Sequence, residues 1–290
     1  MRKKYRISRA NNCWIPENSV SYRLERKNES PVYKTRSIMT KKQMRLAILF
    51  TVLLIGLSAT WTDDRPKGSP PGTEAEFTFL RLVYSGQGWR GSSWAVDYPK
   101  ADLQFLYGLR KLTDFGFVNV ENRALGVLES EIFSYPFIYA VEVGNMHLSD
   151  EEAAQLREYL LRGGFLVVDD FHGQYEWQSF YRQIKKVFPE YEPMDLPISH
   201  PVFHCYYDIQ KLIQVPGLQY VYSGRTWEKG GHKARYMGVQ DDTGRLMIMI
   251  NHNVDLGDAW EWAEQEVYPR KFANLAFQLG INYIVYSMTH

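Results

Sequence analysis

Two carboxylates and an imidazole lie close together in the stretch Asp169-Asp170-Phe171-His172-Gly173, which ends an apolar run. Such groups could hold a divalent cation, or they could act as a general acid and a general base. We therefore take Asp169, Asp170 and His172 as candidate catalytic residues. The alternative is structural, because Asp170 or His172 could instead cap the following helix and bond to loop amides.

Polar and aromatic side chains also follow the other apolar runs of the chain. In an open parallel sheet, ligands bind outside the carboxyl ends of the strands, where loops meet helix N-termini. We therefore predict ligand-binding residues in these loops: Tyr84, Gly86, Gln87, Trp94, Asp97, Tyr98, His252, Asn253, Asp255, Asp258 and Trp260. A structural reading stays open, since strand-to-helix loops are polar by default and Asp97 also suits a turn or a helix cap.

Neither a cofactor nor a particular metal is indicated by the remaining motifs. The glycines of residues 86–91 (GQGWRG) resemble a phosphate loop, but they lack both the full GxGxxG spacing and the Lys-Ser/Thr ending of a P-loop. Trp94, Trp227 and Trp260 lie beside polar loops and leave sugar binding open. The cofactor and the metal are therefore unknown at this stage.

The two cysteines, Cys13 and Cys205, lie far apart, and only Cys205 falls in the part predicted to fold. One cysteine can form neither an internal disulfide nor a thiolate metal site, so the core must supply the stability. Phe203, Cys205 and Tyr207 alternate like the buried side of a strand. This pattern favours a buried, inert thiol over a nucleophile.

Alternating strands and helices are expected to position these side chains. Apolar runs predict strands at 77–84, 117–120, 137–143 and 165–169, and apolar spacing predicts helices at 99–113 and 175–187. A further helix begins with the capping box Ser149–Glu152 and ends at Gly163-Gly164. Strands that alternate with helices predict a parallel sheet with right-handed crossovers.

The C-terminal part has a different pattern. Residues 234–240 and 245–252 flank the turn sequence Asp241–Gly244, which predicts an antiparallel hairpin. Residues 268–286 resume a helical period, with a break possible at Gly280. The predicted fold is a three-layer α/β sandwich with a mostly parallel central sheet and an antiparallel hairpin near the C-terminus.

Charge is distributed unevenly along the 290 residues. Residues 1–45 contain 13 Lys/Arg against three Glu, a net of +10, so the total of +1 leaves −9 for residues 46–290. This acidic balance disfavours nucleic acid as a partner, because phosphate binding needs a basic surface. A content of 45% hydrophobic and 15% aromatic residues is sufficient for a packed core and argues against disorder.

The N-terminal region predicts export. The apolar run Leu46–Leu57 follows Lys41, Lys42 and Arg45 and precedes small residues, the layout of a secretory signal. Because residues 46–61 fall just short of the roughly 17–25 that cross a bilayer, a cleaved signal is favoured over a membrane anchor. We predict a location in the cell envelope, with membrane contact only through this segment.

The predicted domain boundaries follow from this layout. Residues 1–38 would be a mis-annotated or disordered leader, with translation starting at Met39 or Met44. Residues 39–61 would be the signal peptide or anchor, 62–73 a Pro- and Gly-rich linker, and 74–290 a single α/β domain.

Several separate segments, in order along residues 77–290, resemble the bacterial domain-of-unknown-function 4159 family. They are Trp94–Pro99, Leu148–Glu152, Gly163–Asp170, His200–Phe203, Asn253–Trp260 and Tyr283–His290. The resemblance implies a fold similar to class I glutamine amidotransferases and flavodoxin-like domains, usually in exported or membrane-attached proteins. It also implies an envelope complex with AAA-type ATPases or von Willebrand factor A proteins as partners.

One departure from the amidotransferases affects the expected chemistry. Their nucleophilic cysteine lies in a strand-to-helix elbow, where this chain has Asp169–His172. Without a thiol, glutaminase activity is not expected. We therefore expect an envelope domain that binds a ligand or a partner. The alternative is a carboxylate/His or metal-dependent hydrolase that acts on a sugar or cell-wall fragment.

Overall fold

A computed structural model describes residues 77–86, 93–115 and 118–290. The predicted leader, signal or anchor, linker and Gln87 lie outside these residues. The strands are β1 (Phe77–Val83), β2 (Ser85–Gly86), β3 (Val118–Gly126), β4 (Phe137–Val141), β5 (Met146–His147), β6 (Phe165–Phe171), β7 (Met194–Asp195), β8 (Arg235–Gln240) and β9 (Leu246–His252). The helices are α1 (Lys100–Leu112), α2 (Asp150–Leu161), α3 (Gly173–Val187), α4 (Gln219–Ser223), α5 (Leu256–Glu261) and α6 (Arg270–Thr289).

The central sheet has seven strands in the order β3-β1-β4-β6-β9-β8-β7. The first five are parallel to one another, whereas β8 and β7 are antiparallel additions. This confirms the predicted mostly parallel sheet with a C-terminal hairpin. Numbered along the chain, the parallel strands have the order 2-1-3-4-5, which is that of flavodoxin-like sheets. The order reverses between β1 and β4, where such sheets form a ligand-binding crevice.

Helices cover both faces of the sheet. Side chains of α1, α5 and α6 form one apolar core with alternate strand residues such as Phe79 and Val167. Side chains of α2 and α3 form a second core with the intervening residues, such as Leu80 and Val168. Because both faces are buried, β6 consists of seven consecutive buried residues, as its apolar run predicts.

The boundaries of α2 follow from its sequence. The Ser149 side chain accepts a hydrogen bond from the amide of Glu152 (3.1 Å), and the Glu152 carboxylate accepts one from the amide of Ser149 (2.8 Å). Gly163, with φ of +108°, follows the helix in the left-handed region. The predicted capping box and glycine stop are both present.

The last helix continues through Gly280 without a break. A Cβ at this position would lie 2.6 Å from Cε2 of Phe105 and 2.9 Å from Cζ2 of Trp260. Glycine therefore lets α6 pack closely against these aromatic rings, which explains its presence inside a helix. α6 begins at Arg270 and ends at Thr289, slightly later than predicted at both ends.

Two segments differ from the sequence predictions. β3 extends to Gly126 rather than residue 120, because it is an edge strand whose middle is polar and only partly buried and gives no apolar signal. Residues 203–207 are not a strand; a 3-10 turn at Pro201–Phe203 is followed by irregular backbone. Within the described ranges, no helix combines the length and the apolar character that crossing a membrane requires.

Candidate functional site

Carboxylates from three separate segments meet outside the carboxyl ends of the parallel strands. Asp97 follows β1, Asp170 lies near the end of β6, and Asp255 and Asp258 follow β9 at the start of α5. Glu261 ends α5. We call these five residues the acidic edge. It lies at the edge of the sheet where the sequence predicts the ligand site.

Two overlapping sets of oxygens in the acidic edge are close enough to share an ion. One oxygen each from Asp97, Asp170 and Asp255 lie within 4.8 Å of one another, and so do one each from Asp97, Asp258 and Glu261. Asp97 belongs to both sets, and its Oδ2 is buried without a hydrogen-bond partner. The sequence-predicted residues Asp97, Asp170, Asp255 and Asp258 are thus brought together.

Asp169 positions one wall of this site. Its Oδ2 accepts hydrogen bonds from the amides of Leu256 (2.7 Å) and Gly257 (3.2 Å), and from the hydroxyl of Tyr139 (2.7 Å). These bonds tie the start of α5 to the end of β6. Its Oδ1 is buried without a partner. This role as a positioning group was not foreseen in the catalytic prediction.

Glycines allow the carboxylates to approach the backbone. A Cβ on Gly257 would lie 2.6 Å from Oδ2 of Asp97, and a Cβ on Gly217 would lie 2.6 Å from Oδ2 of Asp255. Oε1 of Glu228 lies on the same side of Gly217, at 3.1 Å from that Cβ position. Larger residues at either glycine would displace the acidic side chains.

Burial and the charges of neighbouring carboxylates raise the pKa values of Asp97, Asp255 and Asp169. Burial is the largest cause at Asp97, followed by the charges of Asp258 and Asp170, and its pKa is well above the usual value. Burial, followed by the charges of Asp170, Asp258 and Asp97, has the same effect on the pKa of Asp255. The pKa of Asp169 rises to about 7 through burial, although the Tyr139 hydroxyl opposes the shift.

His172 pairs with Asp170 beside the acidic edge. Nε2 of His172 lies 3.2 Å from Oδ1 of Asp170, while its Nδ1 is buried without a partner. Burial alone would lower the pKa of this imidazole, but the hydrogen bond and charge of Asp170 raise it overall. The amide of His172 also donates to Glu176 (2.6 Å). Asp170 thus links the acidic edge to an acid–imidazole pair.

Backbone strain is concentrated in the same region. Within the described ranges, five non-glycine residues have positive φ: Asp97, Glu142, Asp170, Lys229 and Asn253. Each of the five lies near the end of a strand, in the loop after a strand, or in a loop that packs against α3. Such conformations cost about 1–3 kcal/mol each and are found preferentially at functional sites. Their concentration here is consistent with a site whose geometry is maintained at the expense of stability.

The predicted residues after β1 form a different environment. Tyr84, Gly86 and Trp94 line a surface cavity of about 530 Å³ together with Glu129 and Glu152. The hydroxyl of Tyr84 donates to the carbonyl of Val141 at 2.7 Å.

Tyr98 lies elsewhere in this loop. Its ring packs against that of Trp94, with centroids 5.5 Å apart, and its hydroxyl accepts a bond from Asn122. The lining of the 530 Å³ cavity contains none of the acidic edge. The structure therefore divides the predicted site residues into two groups.

The predicted residues at the end of β9 serve mainly as supports. His252 packs against Phe171 and Trp177, its Nε2 lies 3.1 Å from the carbonyl of Gly173, and burial lowers its pKa to about 4. It belongs to neither set of converging oxygens. The side-chain Oδ1 of Asn253 accepts a hydrogen bond from the amide of Gly173 at 2.8 Å and so fixes the start of α3.

Trp260 is a core residue, and Cys205 is half-buried against the same core. Trp260 is 1% exposed and packs against Phe105, with ring centroids 4.5 Å apart. Burial raises the pKa of the Cys205 thiol to about 12, and its Sγ lies 3.0 Å from the carbonyl oxygen of Asn282. The predicted inert thiol agrees with this geometry, although the strand argument behind it was wrong.

Sequence reasoning missed the charged residues that surround the acidic edge. Arg81, inside the apolar β1, is fully buried and forms an ion pair with Asp102 on α1. Its guanidinium also lies 4.9 Å from the ring centroid of Tyr139. In the sequence, the one sign that a buried cation would pair with α1 was Asp102, which interrupts the apolar face of this helix.

The loop cation Lys229 was also missed. Its Nζ lies 2.7 Å from Glu176 and 3.9 Å from Glu142. Burial and the charge of Asp170 raise the pKa of Glu142 to about 7. Nothing in the local sequence around Lys229 or Glu142 indicates this pairing, because it joins segments distant along the chain.

The fold and site define a three-layer α/β domain with a flavodoxin-like strand order and a cluster of carboxylates at the carboxyl edge of its sheet. The model of the domain-of-unknown-function family DUF4159 matches residues 78–288, and the chain belongs to this family. A search of curated proteins gave no match. The predicted family is therefore confirmed.

Proposed function

We propose that the acidic edge binds a divalent cation through Asp97, Asp170 and Asp255, and that the domain uses this ion to hold a ligand. One observation carries the proposal. Oxygens of these three residues converge within 4.8 Å, and Oδ2 of Asp97 is buried there without a partner.

Electrostatics supports a cation at this position. Asp170 and Asp255 are 7% and 3% exposed, and a buried carboxylate without an opposite charge costs several kcal/mol. Of the neighbouring cations, Arg81 pairs with Asp102, Lys229 with Glu176, and Lys100 reaches only Glu261, at 3.6 Å. Within the described residues, Asp97 and Asp255 have no ion pair, which favours the uptake of protons or of a cation there.

The ligand atoms indicate the kind of ion. Carboxylate oxygens favour hard cations such as Mg²⁺, Ca²⁺ and Mn²⁺. These ions take about 6–8 oxygen ligands, so three carboxylates leave positions for water or for a ligand. An oxygen-rich molecule, such as a sugar or a cell-wall fragment, suits these positions. Binding without glutaminase chemistry also fits the buried, high-pKa thiol of Cys205.

Isothermal titration of the full chain with Mg²⁺, Ca²⁺ and Mn²⁺ tests this proposal. In Asp255→Asn, the side-chain oxygen can still accept the hydrogen bond of the Asp258 amide, which caps α5, but one ligand charge is lost. We expect saturable binding by the wild type and much weaker binding by this variant. Asp114→Asn, which removes an exposed carboxylate, is the matched control and should bind like the wild type. No cation binding by the wild type, or equal binding by all three proteins, would refute the proposal.

A second candidate function is hydrolysis. It is supported by the His172–Asp170 pair, because a carboxylate that raises the pKa of an imidazole is a common arrangement in general acid–base catalysis. We would measure release of sugars from soluble cell-wall fragments with added Mn²⁺. Loss of turnover in His172→Gln with unchanged cation affinity would support catalysis. Absence of turnover by the wild type would leave cation-dependent ligand binding as the function.

We also propose that the domain acts in the cell envelope, with residues 39–61 as its signal or anchor. The apolar run after Lys41, Lys42 and Arg45 supports this. Cell fractionation with mass spectrometry tests it, because a cytosolic chain that retains residues 1–38 would contradict it. Envelope complexes with AAA-type ATPases or von Willebrand factor A proteins are a further proposal, which rests on the family resemblance alone. Cross-linking in intact cells would test them.

A further inference from the structure

A second cavity lies away from the acidic edge, on the face of the sheet covered by α2 and α3. Its volume is about 700 Å³, within the range of small-molecule sites. One wall is a stripe of α3, and the opposite wall is the two-stranded ribbon β2–β5 with the turn before it. No carboxylate lines this cavity.

The helical wall is a polar and basic stripe. Tyr175, Ser179, Arg182 and Lys186 are spaced four, three and four residues apart, which places them along one side of α3. Arg182 and Lys186 are one turn apart, a spacing at which like charges repel and weaken a helix slightly. Within the described residues, neither forms an ion pair with a carboxylate. Two unneutralised cations therefore line a concavity of a strongly acidic domain.

Two hydrogen bonds, one of them from the exposed Lys186, hold the walls of the cavity in place. Nζ of Lys186 donates to the carbonyl of Leu148 (2.8 Å), and Oε1 of the buried Gln183 accepts from the amide of Leu148 (3.0 Å). A Cβ on Gly86 would lie 2.5 Å from the carbonyl oxygen of Asn145, so glycine is needed for the ribbon to pass this turn. The site is thus largely formed before any ligand binds.

We propose that this cavity binds a small phosphate-bearing molecule whose phosphate lies between Arg182 and Lys186. The planar guanidinium suits two phosphate oxygens at once, the ammonium adds a point charge, and the Ser179 hydroxyl can donate a further bond. Tyr175, 79% exposed at the end of the stripe, offers a ring face for a planar group of the same ligand. Nothing in this assignment depends on the cation at the acidic edge.

The test is isothermal titration of the full chain with inorganic phosphate and with phenyl phosphate, both in the presence of EDTA. Arg182→Gln/Lys186→Gln removes both cations from the cavity. Arg110→Gln/Lys111→Gln removes the same charge from exposed positions on α1, across the sheet, and is the matched control. We expect the first variant to bind at least about tenfold more weakly and the control to bind like the wild type, because the first variant loses the charge-assisted bonds to the phosphate.

Two further variants keep the proposal falsifiable. Arg182→Gln alone leaves the bond from Lys186 to Leu148 intact and should still weaken binding, and Tyr175→Ala should remove any preference for phenyl phosphate over inorganic phosphate. Absence of binding by the wild type, or equal weakening by both double variants, would overturn the proposal. So would binding that requires a divalent cation and is lost in Asp97→Asn, since that result would assign the phosphate to the acidic edge.

Discussion

Replacing Asp97 with Asn should reverse the order of stability of the two proteins, depending on whether a divalent cation is present. Asp97 has φ of +60°, a conformation that Asn tolerates well, so the backbone is not strained further. Without a cation, the variant removes one charge whose Oδ2 is buried and unpartnered. The Asn amide can also donate to a neighbouring carboxylate.

The magnitude follows from the unpaired oxygen. Leaving a buried polar group unsatisfied costs about 1–3 kcal/mol, and more when it is charged. For a domain of this size, 1 kcal/mol shifts the melting temperature by about 2–4 °C. Asp97→Asn should therefore melt about 2–12 °C higher than the wild type in EDTA at pH 8. The difference should shrink as the pH falls, because the raised pKa of Asp97 favours its neutral carboxyl at lower pH.

A saturating cation should invert this order. At a concentration one thousand times the Kd, a ligand stabilises the folded state by about 4.1 kcal/mol, or about 8–16 °C here, which exceeds the advantage of the variant in EDTA. The wild type should gain this increment, and the variant should gain little because one of three carboxylate ligands is missing. Differential scanning calorimetry of both proteins and of Asp114→Asn provides the comparison. The reasoning is refuted if Asp97→Asn melts below the wild type in EDTA at pH 8, or if all three proteins gain equally from the cation.

Three further outcomes are expected. Burial raises the pKa values of Asp169 and Glu142 to about 7, so the folded state holds more protons than the unfolded state between about pH 4 and 7. The stability of the cation-free protein should therefore fall as the pH rises through this window, by up to about 1.4 kcal/mol per pH unit for each group. A flat or rising melting temperature in EDTA would contradict this. His252→Gln should lower the free energy of unfolding by about 1–3 kcal/mol, because a packed ring and a buried hydrogen bond are lost. Titration calorimetry should show unchanged cation affinity in this variant. Weaker cation binding would instead place this imidazole in the site. Gly257→Ala should weaken cation binding, because its Cβ would lie 2.6 Å from Oδ2 of Asp97. Wild-type affinity of this variant in a titration would show that the Asp97 carboxylate does not bind the cation from this position.

Local signals in the sequence predicted much of the fold. The capping box at Ser149 and the glycines after α2 fix that helix from contacts within one or two turns. The continuous apolar run of β6 indicates a strand covered on both faces. The Asp241–Gly244 turn indicates a hairpin because Asp241 bonds to its own turn and Gly244 adopts a φ of +81°. Each of these features depends on near neighbours in the chain.

The parts that sequence patterns could not supply depend on distant partners. The polar edge strand β3 shows no apolar period, and its pairing with β1 is visible only in three dimensions. Arg81 is buried because Asp102 on the next helix compensates its charge, a pairing that no local pattern encodes. His252 and Asp255 are only three residues apart, yet one packs against aromatic rings and the other enters the acidic edge. The types of the site residues and the edge of the sheet at which they lie were predictable from the sequence, whereas the directions of their side chains were not.

The acidic edge draws its oxygens from segments that are synthesised far apart in time. Residues 97, 170 and 255 come together only after the ribosome has delivered β9 and α5. Until Asp255 is in place, the set of oxygens from Asp97, Asp170 and Asp255 lacks one member. A cation that needs all three carboxylates would therefore stabilise only chains in which β9 and α5 have docked, and its uptake would report that these two elements are in place.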